Sequence, residues 1–99
     1  MAEIRIDPEQ WNAISAAEQK KIEAAFKKIG AIEQADSLVA GDVGENIERG
    51  DLTLDLCNAL CDIAATSAIA WCVNNTGEPA RSICIAAAES ARRECKRHC

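Results

Sequence analysis

Apolar residues recur at helical spacing in two separate stretches of the chain. In the first stretch, Ile22, Phe26 and Ile29 repeat at intervals of four and three residues, which is typical of a helix that buries one face. The sequence Ser-Ala-Ala-Glu that begins at Ser15 predicts the start of this helix through a capping box. Gly30 predicts its end, because glycine is favoured just beyond the last helical residue.

The second half of the chain predicts two helices joined by a short turn. Asp51 is a suitable N-cap for a helix over about residues 52–73, which the tetrapeptide NNTG at residues 74–77 interrupts. Pro79 suits the first position of a second helix that reaches about Lys96 or the chain end. Two helices joined so closely are expected to pack as an antiparallel hairpin.

The pattern as a whole predicts an all-α fold in three parts. An N-terminal helical segment covers residues 1–30, and the helical hairpin covers residues 51–99. Between them, residues 31–50 combine several glycines with scattered acids and no strong period, which predicts a linker.

All six cysteines lie in the hairpin half, and their positions favour one of the fifteen pairings that six cysteines allow. In an antiparallel hairpin, residues at equal height have position numbers with a nearly constant sum. When the cysteines are paired from the outside inwards, the two position numbers of each pair add to 156. At roughly 100° per residue, each helix also carries its three sulfurs on one narrow face. Small residues on the same faces permit the close approach that a disulfide needs. The prediction is three nested bridges, Cys57–Cys99, Cys61–Cys95 and Cys72–Cys84, along a seam of Ala64, Ala65, Ala68, Ala87, Ala88 and Ala91.

The outer four cysteines form two CxxxC motifs, one on each predicted helix: Cys57 with Cys61, and Cys95 with Cys99. This layout resembles the α-hairpinins, plant defence peptides with a CxxxC…CxxxC helical hairpin and two nested disulfides. It is also similar to the helical-hairpin bacteriocins of the glycocin class. The resemblance covers residues 51–99 and departs from both patterns in the third cysteine pair. It implies a stapled hairpin, with antimicrobial activity or protease inhibition as the associated functions.

Composition adds a conflict about the cellular compartment. The net charge is −5, with −4 from residues 1–50 and −1 from residues 51–99, and this acidity argues against nucleic-acid binding. Six cysteines suggest an oxidising compartment, yet the first residues lack the basic and apolar regions of a secretory signal. No stretch is expected to be long and apolar enough to span a bilayer.

An N-terminal leader would resolve this conflict. Residues 1 to about 41–50 would form an acidic helical leader, and residues 51–99 would form the active hairpin. The expected partners are then a dedicated exporter or processing protease, and the expected location is outside the cell after leader-dependent export. The alternative is that residues 1–50 pack against the hairpin in one domain. The alternative location is the cytoplasm, because the N-terminus does not look like a secretory signal.

Two sets of hairpin residues are candidate contacts with a membrane or a membrane-protein target. An apolar stripe on the first helix is either that contact or core covered by Ile22, Phe26 and Ile29. A basic cluster on the second helix either meets anionic lipid or stabilises the helix C-terminus and pairs with Asp55 or Asp62. The stripe consists of Leu52, Leu56, Leu60, Ile63 and Trp71, and the cluster of Arg92, Arg93, Lys96 and Arg97.

The predicted function is the precursor of a secreted antimicrobial or toxin-like hairpin peptide, similar to a bacteriocin. The first alternative is a binding module, either a protease inhibitor that uses the turn at residues 74–79 or a partner-binding helical protein. The second alternative is a metal-binding protein, since two CxxxC pairs supply four thiolates. Neither a cofactor nor a catalytic residue is predicted, because the single histidine is His98 and no spacing matches a nucleophile elbow or a phosphate loop.

Overall fold

The computed structural model describes residues 3–41 and 55–97, and most of these residues are helical. The elements run in the order β1 (Glu3–Ile6), α1 (Pro8–Trp11), α2 (Ala16–Ile29), β2 (Ser37–Ala40), α3 (Asp55–Asn75) and α4 (Ala80–Arg97). The predicted helical character is confirmed, and the predicted termini of the two hairpin helices lie close to those of α3 and α4. The predicted start of the hairpin at residues 51–54 lies outside the described residues.

The expectation of a purely α-helical fold is wrong, because the N-terminal half contains a two-stranded parallel sheet. β1 pairs with β2 from Glu3 opposite Ser37 to Ile6 opposite Ala40, and α2 makes the crossover that a parallel pair requires. Buried and exposed side chains alternate along β1, which is the period of a strand with one covered face. The described part of the predicted linker therefore contains a strand, and its residues 42–50 lie outside the described residues.

Hydrogen bonds and backbone angles define the helix ends in the N-terminal half, and those predicted at Ser15 and Gly30 are confirmed. The Asp7 carboxylate accepts from the Glu9 backbone N–H at 2.9 Å, and Pro8 follows as the first residue of α1. The Ser15 hydroxyl accepts from the Glu18 backbone N–H at 3.1 Å, as an N-cap should. Gly30 closes α2 with a φ of 91°, a left-handed conformation that favours glycine.

Two of the three predicted disulfide bridges are present between α3 and α4. Cys61 is bonded to Cys95 with a Cα–Cα distance of 5.8 Å, and Cys72 is bonded to Cys84 at 5.7 Å. The start of α3 is thus bridged to the end of α4, so the two helices run in opposite directions along their bridged length. The third predicted bridge, Cys57–Cys99, lies outside the described residues because Cys99 does.

A single apolar core joins the N-terminal half to the hairpin. Ile6, Ile22 and Phe26 are fully buried in the same cluster as Cys72 and Cys84. The predicted alanine seam is buried too, and its small side chains let α3 and α4 approach closely. Its fully buried members are Ala65, Ala68, Ala87, Ala88 and Ala91, and Ala64 packs against the core from its edge.

Candidate apolar surface on α3

The two ends of the hairpin differ in how they contact the rest of the molecule. The turn end comprises residues 68–75 of α3, residues 80–88 of α4 and the turn between them. The open end comprises residues 55–67 of α3 and residues 89–97 of α4. The fully buried α3 residues of the connected core, Ala68 and Cys72, both belong to the turn end. At the open end of α3, Cys61 and Ala65 are buried but stand apart from that core.

Three large apolar side chains of the open end face outwards. Leu56, Leu60 and Ile63 are 75%, 58% and 62% exposed, and their spacing places them on one side of the helix. We call these three residues the apolar face of α3. At roughly 100° per residue, they lie about 100–160° round the helix from Cys61. The cysteine seam and the apolar face therefore point in nearly opposite directions.

The interpretation of the apolar stripe as core is wrong for these three residues. Ile22 and Phe26 are buried, but their cluster contains Ala68 and Cys72 rather than the apolar face. The reason is position along the helix, since the buried core residues of α3 and its contacts with Lys21 of α2 lie at the turn end, whereas these three residues lie at the open end. Leu52, the first residue of the predicted stripe, lies outside the described residues.

The other exposed positions between Leu56 and Asn75 carry no charge either. A helix on the surface of a soluble protein normally carries charged or polar residues on its outer face. The one charged side chain between Leu56 and Asn75 belongs to Asp62, which is half-buried beside α4. The exposed residues over this length are Leu56, Ala59, Leu60, Ile63, Thr66, Ser67, Ala70, Val73, Asn74 and Asn75.

The length and apolarity of α3 also meet the requirements of a membrane span. Over Leu56–Asn75, 20 residues long, the mean hydropathy is 1.5, and 22% of the segment is buried in the protein. The expectation that no stretch reaches this threshold is wrong, because one carboxylate and a few amides and hydroxyls do not outweigh so many apolar side chains. Length and composition alone meet this requirement, since α3 is joined to α4 by two bridges and buries Ala68 and Cys72 in the core.

Trp71, the last residue of the predicted stripe, does not share this exposure. It is half-buried and packs against the core. The Lys21 ammonium lies 6.0 Å from the centre of its ring, at the outer limit of a cation–π contact. The same ammonium donates to the Asn75 carbonyl at 3.2 Å. Trp71 therefore belongs to the junction of α2 with the hairpin, which agrees with the interpretation of the stripe as core at this position.

The basic cluster on α4 is largely paired within the protein. Lys96 Nζ lies 2.9 Å from Asp62 Oδ1, and Arg92 Nη1 lies 3.9 Å from the same oxygen. The predicted pairing with Asp62 is thus confirmed, while the Asp55 side chain lies outside the described residues. The other two members contact neighbours in α4: Arg97 Nη1 lies 3.5 Å from Glu94 Oε2, and Arg93 Nη2 donates to Ser90 Oγ at 3.1 Å.

The turn between α3 and α4, the candidate inhibitory loop, is anchored to the protein. Thr76 is buried, and its hydroxyl and backbone N–H both donate to the Cys72 carbonyl, at 2.6 and 3.1 Å. Arg81 Nε donates to the Thr76 carbonyl at 3.2 Å. A cleft of about 380 Å³ separates residues 75–80 from residues 13–18 of the α1–α2 connection. Thr76 is thus held against the two helices, and Gly77, Glu78 and Pro79 are exposed.

The sulfur atoms are engaged in bonds rather than presented as ligands. None of the five cysteines in the described residues is a free thiol, and these residues contain no group of three or more side chains placed to hold a metal ion. A thiolate metal site would require the sulfurs of the two bridges in their reduced form.

Comparisons with protein-family models, with curated proteins and with solved structures found no match to this chain.

Proposed function

We propose that the protein is a secreted, disulfide-stapled helical protein of the antimicrobial or toxin-like kind, which binds lipid membranes through the apolar face of α3. The observation that carries the proposal is the outward exposure of Leu56, Leu60 and Ile63 on a helix whose one charge between Leu56 and Asn75, that of Asp62, is paired with α4. In this proposal the three apolar side chains enter the interface of a bilayer, and burial of their apolar area supplies the attraction.

Burial of apolar side chains drives this binding rather than charge. Residues 55–97 contain five acidic and five basic residues, and two of the basic ones share the carboxylate of Asp62. Attraction to anionic lipid is therefore small. Each exposed leucine or isoleucine contributes up to about 1.5–3 kcal/mol when fully transferred from water to an apolar environment. Three such side chains on one face supply an attraction that salt does not screen.

An oxidising location fits this proposal. The Cys61–Cys95 and Cys72–Cys84 bridges are compatible with an extracellular protein. The complete ladder, with Cys57–Cys99 as its outermost bridge, is part of the proposal. A ladder of this kind would keep α3 straight and hold its apolar face outwards at a surface where the hairpin buries little.

The active form in this proposal is the whole chain rather than a released hairpin. Ile22 and Phe26 supply large side chains to a core that the hairpin lines mainly with alanine and cysteine. Removal of residues 1–41 would expose that side of the hairpin to water. The apolar face of α3 is already uncovered in the intact protein, so no cleavage is needed to reveal it. An exporter remains the proposed route out of the cell.

Vesicle binding of the intact, oxidised protein tests the proposal. Flotation with phosphatidylcholine vesicles should carry the protein with the lipid, and 0.5 M salt should have little effect. Leu60→Asp removes a leucine and adds a charge, so the partition coefficient should fall at least about tenfold. Gln34→Asp adds the same charge at an exposed position of the α2–β2 connection and should bind like the wild type.

Three outcomes separate the candidate functions. Binding that depends on Leu60, together with dye release and bacterial growth inhibition, supports the antimicrobial form of the proposal. Binding without release or inhibition leaves a membrane-binding protein and removes the antimicrobial part. If the protein does not float with lipid, or if Leu60→Asp binds equally well, the membrane proposal is wrong. A partner-binding protein that docks an apolar protein surface on the same face is then the better reading.

A further inference from the structure

The exposed side of α3 keeps one spacing over almost the whole helix. Beyond the apolar face, this side continues through Ser67 and Ala70 to Asn74, and all three are exposed. The six positions follow one another at intervals of four and three residues, which is the 3.5-residue period of two helices packed along a seam. At roughly 100° per residue, they lie within an arc of about 80° that faces away from the bridging cysteines. We call these six residues the outer seam: Leu56, Leu60, Ile63, Ser67, Ala70 and Asn74.

The surroundings of the outer seam are also uncharged. Its exposed neighbours are Ala59, Thr66 and Val73, and the Thr66 hydroxyl donates to the Asp62 carbonyl at 2.8 Å within the helix. The Asp62 carboxylate lies on another side of α3, where it pairs with Lys96 of α4. A second helix can therefore pack on the outer seam without burying an unpaired charge, which is the costliest obstacle to such a contact.

Side-chain size changes along the outer seam, with large residues at the open end and small ones at the turn end. Two antiparallel copies of α3 reverse this order, so that Leu60 of each copy meets Ala70 of the other. The position numbers of this contact add to 130, and the same sum brings Ile63 opposite Ser67 and Leu56 opposite Asn74. One register thus places a large residue opposite a smaller one at every contact, as close interdigitation requires. A parallel pair would instead place leucine opposite leucine and alanine opposite alanine.

We propose that two copies of the protein associate in water through their outer seams, packed antiparallel about a two-fold axis. Such an axis makes each contact occur twice. A single helix pair is a small interface beside the roughly 800 Å² per partner of a standard stable complex, so the dimer dissociates on dilution. The dimer does not depend on membrane binding. Where membrane binding also occurs, lipid and the second copy compete for the apolar face of α3.

Analytical ultracentrifugation of the intact, oxidised protein tests the association. The mass should equal that of one chain, 10.6 kDa, in dilute solution. It should rise towards twice that value between about 1 μM and about 1 mM protein, because association follows mass action. The mass of a single chain over this whole range would overturn the proposal.

An exchange of side-chain sizes tests the register. Ala70→Leu places leucine opposite Leu60 of the other copy, so the association constant should fall at least about tenfold. Leu60→Ala/Ala70→Leu restores the contact of large with small and should return the constant to within about threefold of the wild type. Ala24→Leu makes the same change at an exposed position of α2 and should associate like the wild type. Stronger association of Ala70→Leu, or no recovery in the double variant, would overturn the antiparallel dimer.

Vesicle flotation of the same variants separates the dimer from the proposed function. Protein at about 1 μM is used, so that association does not cover the apolar face. Ala70→Leu adds apolar area to the exposed side, so it should bind lipid more strongly while it dimerises less. A protein that floats with lipid and stays monomeric at high concentration would contradict the dimer alone. A protein that dimerises with the expected variant pattern and does not float would support the dimer and contradict membrane binding alone.

Discussion

A disulfide bridge joins α3 to α4 at the turn end and another joins them at the open end, but the two bridges have different surroundings. At the turn end, Cys72–Cys84 lies inside a core that also contains Ile22 and Phe26. At the open end, α3 and α4 are also joined by the half-buried carboxylate of Asp62 and its two basic partners. The comparison teaches that a bridge can lie inside the connected core or beyond its edge, where Cys61 and Ala65 are buried but stand apart from that core. The open end exposes its leucines because their side of α3 faces away from the cysteines.

The largest expected loss of stability comes from truncating a buried aromatic residue, and truncating an exposed leucine is its control. Phe26→Ala removes a fully buried ring from the core that joins α2 to the turn end, and it should lower the free energy of unfolding by about 3–5 kcal/mol. Leu60→Ala is the matched change on the apolar face and should stay within about 0.5 kcal/mol. Urea denaturation of both variants measures the difference. A loss above 2 kcal/mol for Leu60→Ala would mean that the apolar face is covered.

Removal of the open-end bridge should have the next largest effect. The two cysteines are separated by 34 residues, against 12 for the inner pair. In the chain-entropy model these loops correspond to about 4 and about 3 kcal/mol, and nesting reduces the value for either bridge while the others remain closed. Cys61→Ala/Cys95→Ala should therefore lower the free energy of unfolding by about 3 kcal/mol in urea. A loss below 1 kcal/mol would show that non-covalent contacts are enough at the open end.

Overpacking should distinguish the inner and outer faces of α3. Ala68 is fully buried in the seam, so Ala68→Leu forces α3 away from α4 or α2 and should cost about 1–3 kcal/mol. Ala59→Leu makes the same change on the exposed side of α3 and should be nearly neutral for stability. Thermal melts of the oxidised proteins compare the two. Equal melting temperatures would contradict the close packing of the seam.

The sequence was sufficient to predict the features that depend on local spacing. The pairing of Cys61 with Cys95 and of Cys72 with Cys84 follows from position numbers alone, once two helices and a turn are assigned. The cap at Ser15 and the stop at Gly30 likewise depend on a few neighbouring residues. Local hydrogen bonds and helical geometry fix these features, so no knowledge of the distant chain is required.

Local spacing could not predict the parallel sheet, nor which side of α3 packs against α2. Four residues of alternation around Ile4 are too few to distinguish a strand, and the partner strand begins at Ser37, more than 30 residues further along the chain. α3 is apolar on several sides, so periodicity could not tell which side meets α2. The core meets α3 near the turn, at Ala68 and Cys72, and Leu56 and Leu60 lie further from the turn and are exposed.

The smallest expected effect concerns the ion pair that spans the open end. Asp62→Asn removes the charge that faces Lys96 and Arg92 and leaves those two cations one helical turn apart in α4. Because all three side chains are partly exposed, the loss of unfolding free energy should be at most about 1 kcal/mol. High salt should weaken the wild type by a similar amount and Asp62→Asn much less, since screening acts on the pair that the variant lacks. Urea denaturation at 0.05 and 1 M sodium chloride measures both effects.

A loss above 2 kcal/mol that salt does not change would mean that Asp62 acts as a buried hydrogen-bond acceptor. The open end would then be held by more than its bridge and a surface charge pair.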